Sequence, residues 1–178
     1  YNNAGYILLG LVVEKISSLR LEKYIEESVF KVASMKDSGY FAMDTLPENT
    51  ALGYIDNEDG SWRSNIYSVP AKGGADGGAF ITVEDMDRFW KALFEFQLLS
   101  EPVTKQLLTP YIHTDEDYDR FYGYGVWIDI HDSTITKYHI MGYDPGVSFH
   151  SAYYPEADEV AVVCSNKSEG AFDVFKAI

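Results

Sequence analysis

The chain has 178 residues, enough for one domain with a hydrophobic core of its own. A composition of 46% hydrophobic and 15% aromatic residues excludes a disordered or fibrous class. The formal net charge of -14 argues against nucleic acid and anionic membrane surfaces as partners, since both demand positive counter-charge.

Asn2 or Asn3 caps a first helix predicted over residues 4–18. Its centre, Tyr6-Ile7-Leu8-Leu9-Gly10-Leu11-Val12-Val13, is apolar all round, the pattern of a helix buried on most sides. It is also the longest apolar run, and it is too short to span a membrane. A second helix is predicted over 21–30, with Leu21, Tyr24, Ile25, Ser28 and Val29 on one face and Glu22, Lys23, Glu26 and Glu27 on the other. Residues 32–82 read as irregular, with short strand candidates at 39–42 and 51–55. They include the glycine-rich loop 73–78, which lacks the Gly-Lys-Ser/Thr of a phosphate cradle and reads as a flexible wall of a cleft. Thr82 caps a third helix, with Asp85 as its capping partner three positions on; Met86, Phe89, Trp90 and Leu93 form the core face. A short helix over 101–109 follows.

The remainder reads as an antiparallel meander with strands at 121–130, 134–140, 147–154 and 159–165. Val147, Phe149, Ser151 and Tyr153 alternate along one face. The run 160–164 is apolar throughout, as in a central strand covered on both faces, and Cys164 within it reads as a small buried residue. It is the single cysteine, so no intrachain disulfide forms. A terminal helix over 168–177 packs on the sheet through Phe172 and Phe175. Helices first, then a meander with a closing helix, define an α+β class.

Chemistry-bearing residues gather at the first helix. A tyrosine at a helix N-terminus sits near free N–H groups and the positive end of the dipole, which favours phenolate and lowers its pKa. Tyr1 is therefore a candidate proton carrier, and the Asn3 carboxamide a candidate for orienting an amide or ester. On these residues alone, a helix cap and a packing tyrosine are the simpler reading. Histidines 113, 131, 139 and 150 show no metal-ligand spacing. Asp115 with Asp117 has the form of a glycosidase carboxylate pair, but in so acidic a chain it reads as a solvated loop.

The ordered set of segments narrows the choice. Tyr1-Asn2-Asn3-Ala4-Gly5-Tyr6-Ile7-Leu8-Leu9-Gly10 resembles the Tyr-x-Asn segment of class C β-lactamases and of the related esterases and D-amino-acid peptidases. Tyr24-Ile25-Glu26-Glu27-Ser28-Val29-Phe30 and Met35-Lys36-Asp37-Ser38-Gly39-Tyr40 continue it. Gly74-Ala75-Asp76-Gly77-Gly78-Ala79-Phe80-Ile81-Thr82-Val83-Glu84-Asp85-Met86 is similar to the family's Gly-Gly-Leu-x-Ser-Thr-x-Glu-Asp-Leu, and Tyr122-Gly123-Tyr124-Gly125-Val126-Trp127 to its Gly-Tyr-Gly-x-Trp strand. The matches keep the family order over nearly the whole chain, and the chain resembles the serine β-lactamase and penicillin-binding-protein superfamily.

The resemblance implies an acyl-enzyme hydrolase in which Tyr1 and Asn3 are catalytic and no metal or organic cofactor takes part. The family's Lys-Thr-Gly or His-x-Gly motif falls on Tyr138-His139-Ile140-Met141-Gly142, with Gly142 on its glycine and Ile140 in place of the basic residue. His139 and Gly142 are the substrate-side candidates. His139 stands one residue early, so strand alternation turns it to the opposite face. Either a local bulge re-aims it or the basic group is absent; the second reading is preferred, and an efficient β-lactamase is not expected. The match to the family's Ser-x-x-Lys at Ser28-Val29-Phe30-Lys31 follows the Tyr-x-Asn segment where the family places it before, and Ser28 reads as a small core-facing serine. The nucleophile is expected upstream of Tyr1.

The resulting expectation is an α+β architecture: an antiparallel sheet with the C-terminal helix packed on it, plus part of a helical subdomain, an incomplete β-lactamase/transpeptidase-like fold. Residues 1–178 would form the C-terminal portion of the hydrolase domain, with 1–110 mainly helix and loop and 111–178 sheet and terminal helix. The missing N-terminal portion or a neighbouring molecule is expected to cover an exposed sheet edge. The expected partner is a small ester, amide or peptide substrate, not nucleic acid, and the chain alone is expected to be inactive. The alternative is a non-catalytic binding or sensor module that kept the fold.

Overall fold

In the computed structural model, which describes residues 1–115 and 119–177, the Asn2 side chain accepts from the Gly5 N–H at 3.1 Å and caps α1, Asn3–Ser17. Asp117, the second carboxylate of the pair with Asp115, lies outside the described residues. Within these residues α1 is covered on one side only, not on most sides. Leu8, Leu9 and Leu11 are exposed, and Gly10 is the buried residue of the helix. The chain packs against one side of α1, where Leu21 and Ala75 meet Gly10 so closely that a Cβ there would lie 2.6 Å from the Cβ of Ala75.

Leu21–Ile25 form α2, which continues as one π-helical turn, Glu26–Phe30, in place of a regular helix to residue 30. There Phe30 joins Ala33, Met35 and Ala92 in a small core of their own. The strand expected at 39–42 is reduced to isolated bridges, Gly39 with Phe80 and Ala42 with Lys72. The strand expected at 51–55 is shorter and shifted, β1, Tyr54–Asp56, and it forms a hairpin with the unanticipated β2, Trp62–Ser64; three residues are too few to display an alternation in sequence. Thr82 caps α3, Val83–Phe94, by accepting from the Asp85 N–H at 3.1 Å. The Asp85 carboxylate does not serve that cap. Fully buried, it accepts from Asp37 N–H at 2.8 Å and Ser38 Oγ at 2.7 Å and pairs with Arg88, so it ties the 37–38 segment to α3. The short helix expected after α3 is α4, Glu101–Leu107.

Among the described residues the main sheet has six strands in the order β3-β4-β5-β6-β7-β8, with every neighbouring pair antiparallel. They are β3, Ile112–Asp115; β4, Arg120–Tyr122; β5, Trp127–His131; β6, Thr134–Asp144; β7, Val147–Tyr154; and β8, Glu159–Ser165. The strand expected at 121–130 is two, because the chain reverses at Gly123-Tyr124-Gly125. β3 was not anticipated.

The apolar run 160–164 lies on β8, the last of the six strands in the order among the described residues. Its composition follows from α3 and α5, Ala171–Lys176, both of which pack on it. Cys164, near its end, is exposed rather than buried. The neighbouring β7 is covered on both faces as well. On one side the Trp90 Nε1–H donates to Ser151 Oγ at 2.7 Å; on the other, Ser148 Oγ accepts from the Ala171 N–H at 3.3 Å. Met86, Trp90, Leu93, Leu108, Val126, Ile128 and Tyr153 form the main core between α3 and the sheet. Phe175 is buried and Phe172 meets His150 edge-on, so the closing helix docks through the two residues expected.

Candidate functional site

The cap geometry of α1 sets Tyr1 and Asn3 on either side of Asn2. Both are exposed, Tyr1 to 71%. The Tyr1 ring lies 5.2 Å from that of Tyr6, and its hydroxyl makes a long bond of 3.5 Å to the Asp76 carbonyl. The Tyr1 pKa is raised, through desolvation first and then through Tyr6 and Asp76. The phenolate-favouring effect expected of a helix N-terminus does not prevail. The hydroxyl meets a loop carbonyl and an acidic side chain, while the Gly5 N–H is taken by Asn2.

Loop 73–78 closes on itself through a Gly74–Gly77 bridge, and Gly78, at φ 87°, holds the left-handed conformation this reversal needs. The loop brings Ala75 to α1 and Asp76 to Tyr1. The Asp76 carboxylate also acts on Asp144, two residues past Gly142, whose pKa is raised by desolvation and then by Asp76. Asp144 is followed by a turn fastened from outside the sheet: the buried Asn65 donates through Nδ2 to the Pro145 carbonyl at 3.1 Å. Neither Asp76 nor Asn65 stood out in the sequence, because each acts on a segment about 70 or more positions away.

Strand register divides the residues from Tyr138 to Gly142 between two faces. Gly142 pairs with Phe149, Ile140 with Ser151 and Tyr138 with Tyr153; this face meets α3, where Ile140 packs on the main core. His139 pairs with Ala152 and Trp127 on the opposite face. Pairing runs without interruption from Tyr138 to Asp144, so no bulge re-aims His139. It is fully buried, with Nε2 3.2 Å from Asp129 Oδ1 and its ring 5.3 Å from that of His150. Asp129 also accepts from Arg120 Nε at 2.7 Å and lies 3.3 Å from Lys137 Nζ. Burial pushes the Asp129 carboxyl up, but His139 and Arg120 outweigh it and hold the group well below the usual carboxylate range. Burial lowers the His139 pKa in spite of Asp129.

Ser28 sits half-buried in the π-helical turn, and Lys31, exposed, pairs with Glu26 at 3.5 Å, so the two do not form a nucleophile and its activating amine. Among the described residues, no group of three or more His, Cys, Asp or Glu side chains is arranged to hold a metal.

Helices packed on both faces of an antiparallel sheet, a Tyr-x-Asn helix start and a motif glycine on the long strand define the serine β-lactamase and penicillin-binding-protein superfamily, a class of serine hydrolases. Residues 1–178 match the Beta-lactamase family, and the chain belongs to it.

Penicillin-binding protein 4* of Bacillus subtilis (strain 168) is 26% identical over 188 residues, covering 95% of this chain and 40% of that protein. The crystal structure of a penicillin binding protein from Bacillus halodurans is 58% identical with a TM-score of 0.97, covering 99% of this chain and 54% of that one. D-amino acid amidase from Ochrobactrum anthropi SV3, complexed with L-phenylalanine, shares the fold at 21% identity and a TM-score of 0.76, covering 98% of this chain and 51% of the amidase. The chain thus spans less than half the length of the curated relative and about half that of the two solved structures.

Proposed function

We propose that these residues are the C-terminal portion of a hydrolase that forms an acyl-enzyme on a small ester or amide, with a division between a mainly helical part, 1–110, and the sheet with its closing helix, 111–178. The observation that carries this reading is Tyr1 and Asn3 at the capped start of α1, within a family match that runs the length of the chain. A serine and lysine from outside the 178 residues supply the nucleophile and its activation. Tyr1 moves the proton as base and then acid, Asn3 holds the acyl amide, and the backbone near Gly142 lines the site and contributes to the oxyanion hole. The raised Tyr1 pKa gives that lysine a second task, because a nearby cation is what brings a phenol down.

Ile140 at the basic position disfavours a substrate recognised by its carboxylate, and so disfavours β-lactams. An amino-acid amide or small ester fits better, in keeping with the amidase whose fold the chain shares. His139, buried behind β6, bears on the substrate indirectly, by holding Asp129 and the strand that carries Gly142. The exposed leucines of α1 and the β8 edge are covered by a segment outside these residues or by a neighbouring molecule.

The test is acylation of a single serine. The full-length protein is expected to take up a fluorescent phosphonate stoichiometrically and to turn over a chromogenic ester, while the 178-residue chain alone does neither. Labelling of Ser28 in that chain would overturn the assignment. A binding or sensor module is the second reading, favoured by the apolar Ile140 alone; a full-length protein that binds amides and never acylates would establish it.

A further inference from the structure

Three phenols meet where α1 begins. The Tyr6 and Tyr122 hydroxyls are 2.5 Å apart, one donating to the other, and they join the first turn of α1 to the end of β4. Both rings are half-buried. Tyr122 is braced by Trp127, ring to ring at 4.6 Å, and a Cβ at Gly125 in the turn after β4 would lie 3.4 Å from the Tyr6 hydroxyl. Tyr1 is held far less firmly. It precedes the helix, is 71% exposed, and leans on the Tyr6 ring at 5.2 Å, with the long Asp76 bond as its polar contact. A residue so placed frays unless something ordered supports it.

We propose that the Tyr6–Tyr122 hydroxyl pair is a positioning device: it fixes the Tyr6 ring at its far end, and the fixed ring sets the direction in which Tyr1 presents its hydroxyl. The inference rests on the reading of Tyr1 as the proton carrier. Neither Tyr6 nor Tyr122 touches the reacting atoms; both act through Tyr1. A phenol without its hydroxyl partner is free to pivot, and a misplacement of about 1 Å at a reacting group is enough to cost rate steeply.

The experiment uses the full-length protein and its Tyr6→Phe, Tyr122→Phe, doubly substituted and Tyr1→Phe variants. It combines steady-state turnover of a chromogenic ester with carbon NMR of ring-labelled tyrosine. Each of the first two variants is expected to lower kcat about 3- to 10-fold, the effect of one net hydrogen bond. The double variant should fall no further, since the pair acts as a unit. KM should stay within about twofold, and the alkaline limb of the kcat–pH profile should move in both single variants. Unchanged kcat and an unmoved limb in both, with Tyr1→Phe impaired, would overturn the proposal. Should Tyr1→Phe leave kcat intact, the proton-carrier reading fails separately, and the NMR decides the positioning. An averaged Tyr1 ring signal in Tyr122→Phe upholds it, and an unaltered one overturns it.

Discussion

The ring of His150 lies flat on that of Phe175, with centroids 3.7 Å apart and planes within 4° of parallel. His150 projects from the doubly covered β7, and among the described residues neither of its ring nitrogens has a hydrogen-bond partner. Behind it stand His139, Lys137, Arg120 and Asp129, and on the helix side Phe172. Burial, then the neighbouring cations, push the His150 pKa down to about 4, so the docking of α5 depends on an uncharged imidazole.

Acid should therefore loosen this contact. A histidine whose folded pKa lies below its unfolded value binds more protons when unfolded, so stability is intact above pH of about 6.5 and falls as pH drops from there toward about 4. The shift corresponds to at most about 3 kcal/mol. His139, lowered in the same direction, adds to the slope. Thermal melts of the chain between pH 8 and 4.5 check this. His150→Phe keeps the stack and should flatten the pH dependence without lowering the midpoint at pH 8.

Trp90 and Ser151 should prove energetically coupled. Both are buried, and their 2.7 Å bond links α3 to β7 through the middle of the core. Ser151→Ala leaves the indole N–H without its partner and should cost about 1–3 kcal/mol. Trp90→Phe leaves the hydroxyl unpartnered and removes ring volume as well, at about 2–4 kcal/mol. Denaturant unfolding of both single variants and the double should show a loss in the double well below the sum.

Gly10→Ala is a test of the α1–loop contact. In an isolated helix this change stabilises by about 1 kcal/mol. Here the new methyl would fall 2.6 Å from the Cβ of Ala75, and overpacking of this kind costs about 1–3 kcal/mol. The net effect should be destabilising, and adding Ala75→Gly should restore or exceed the original melting temperature.

Tyr1 and Asn3 should separate in kinetics. Tyr1 is largely exposed, so Tyr1→Phe should change stability by less than about 1 kcal/mol. In the full-length protein the same change should lower kcat by about 10²- to 10⁴-fold with a smaller movement of KM. Asn3→Ala should raise KM as well. Ester turnover together with melts of both variants measures the difference, and an unchanged kcat in Tyr1→Phe removes Tyr1 from the mechanism.

What the sequence determined by itself was local. The caps at Asn2 and Thr82, the core stripe of α3 and the strands at 147–154 and 159–165 depend on neighbours within a few positions, and each stands where its pattern places it. The order of the Tyr-x-Asn, Gly-Gly and Gly-Tyr-Gly segments identified the family, because order survives where single motifs do not. Tertiary structure decided what periodicity does not encode. An all-apolar strand signals cover on both faces without saying what supplies it, and on β8 that cover comes from α3 and α5. An all-apolar helix signals that cover is needed without naming its source, and within this chain α1 receives it on one side only. The partners of Tyr1, Asn65, Asp85 and His139 lie up to about 80 residues away, and chain folding alone brings such groups within hydrogen-bond reach.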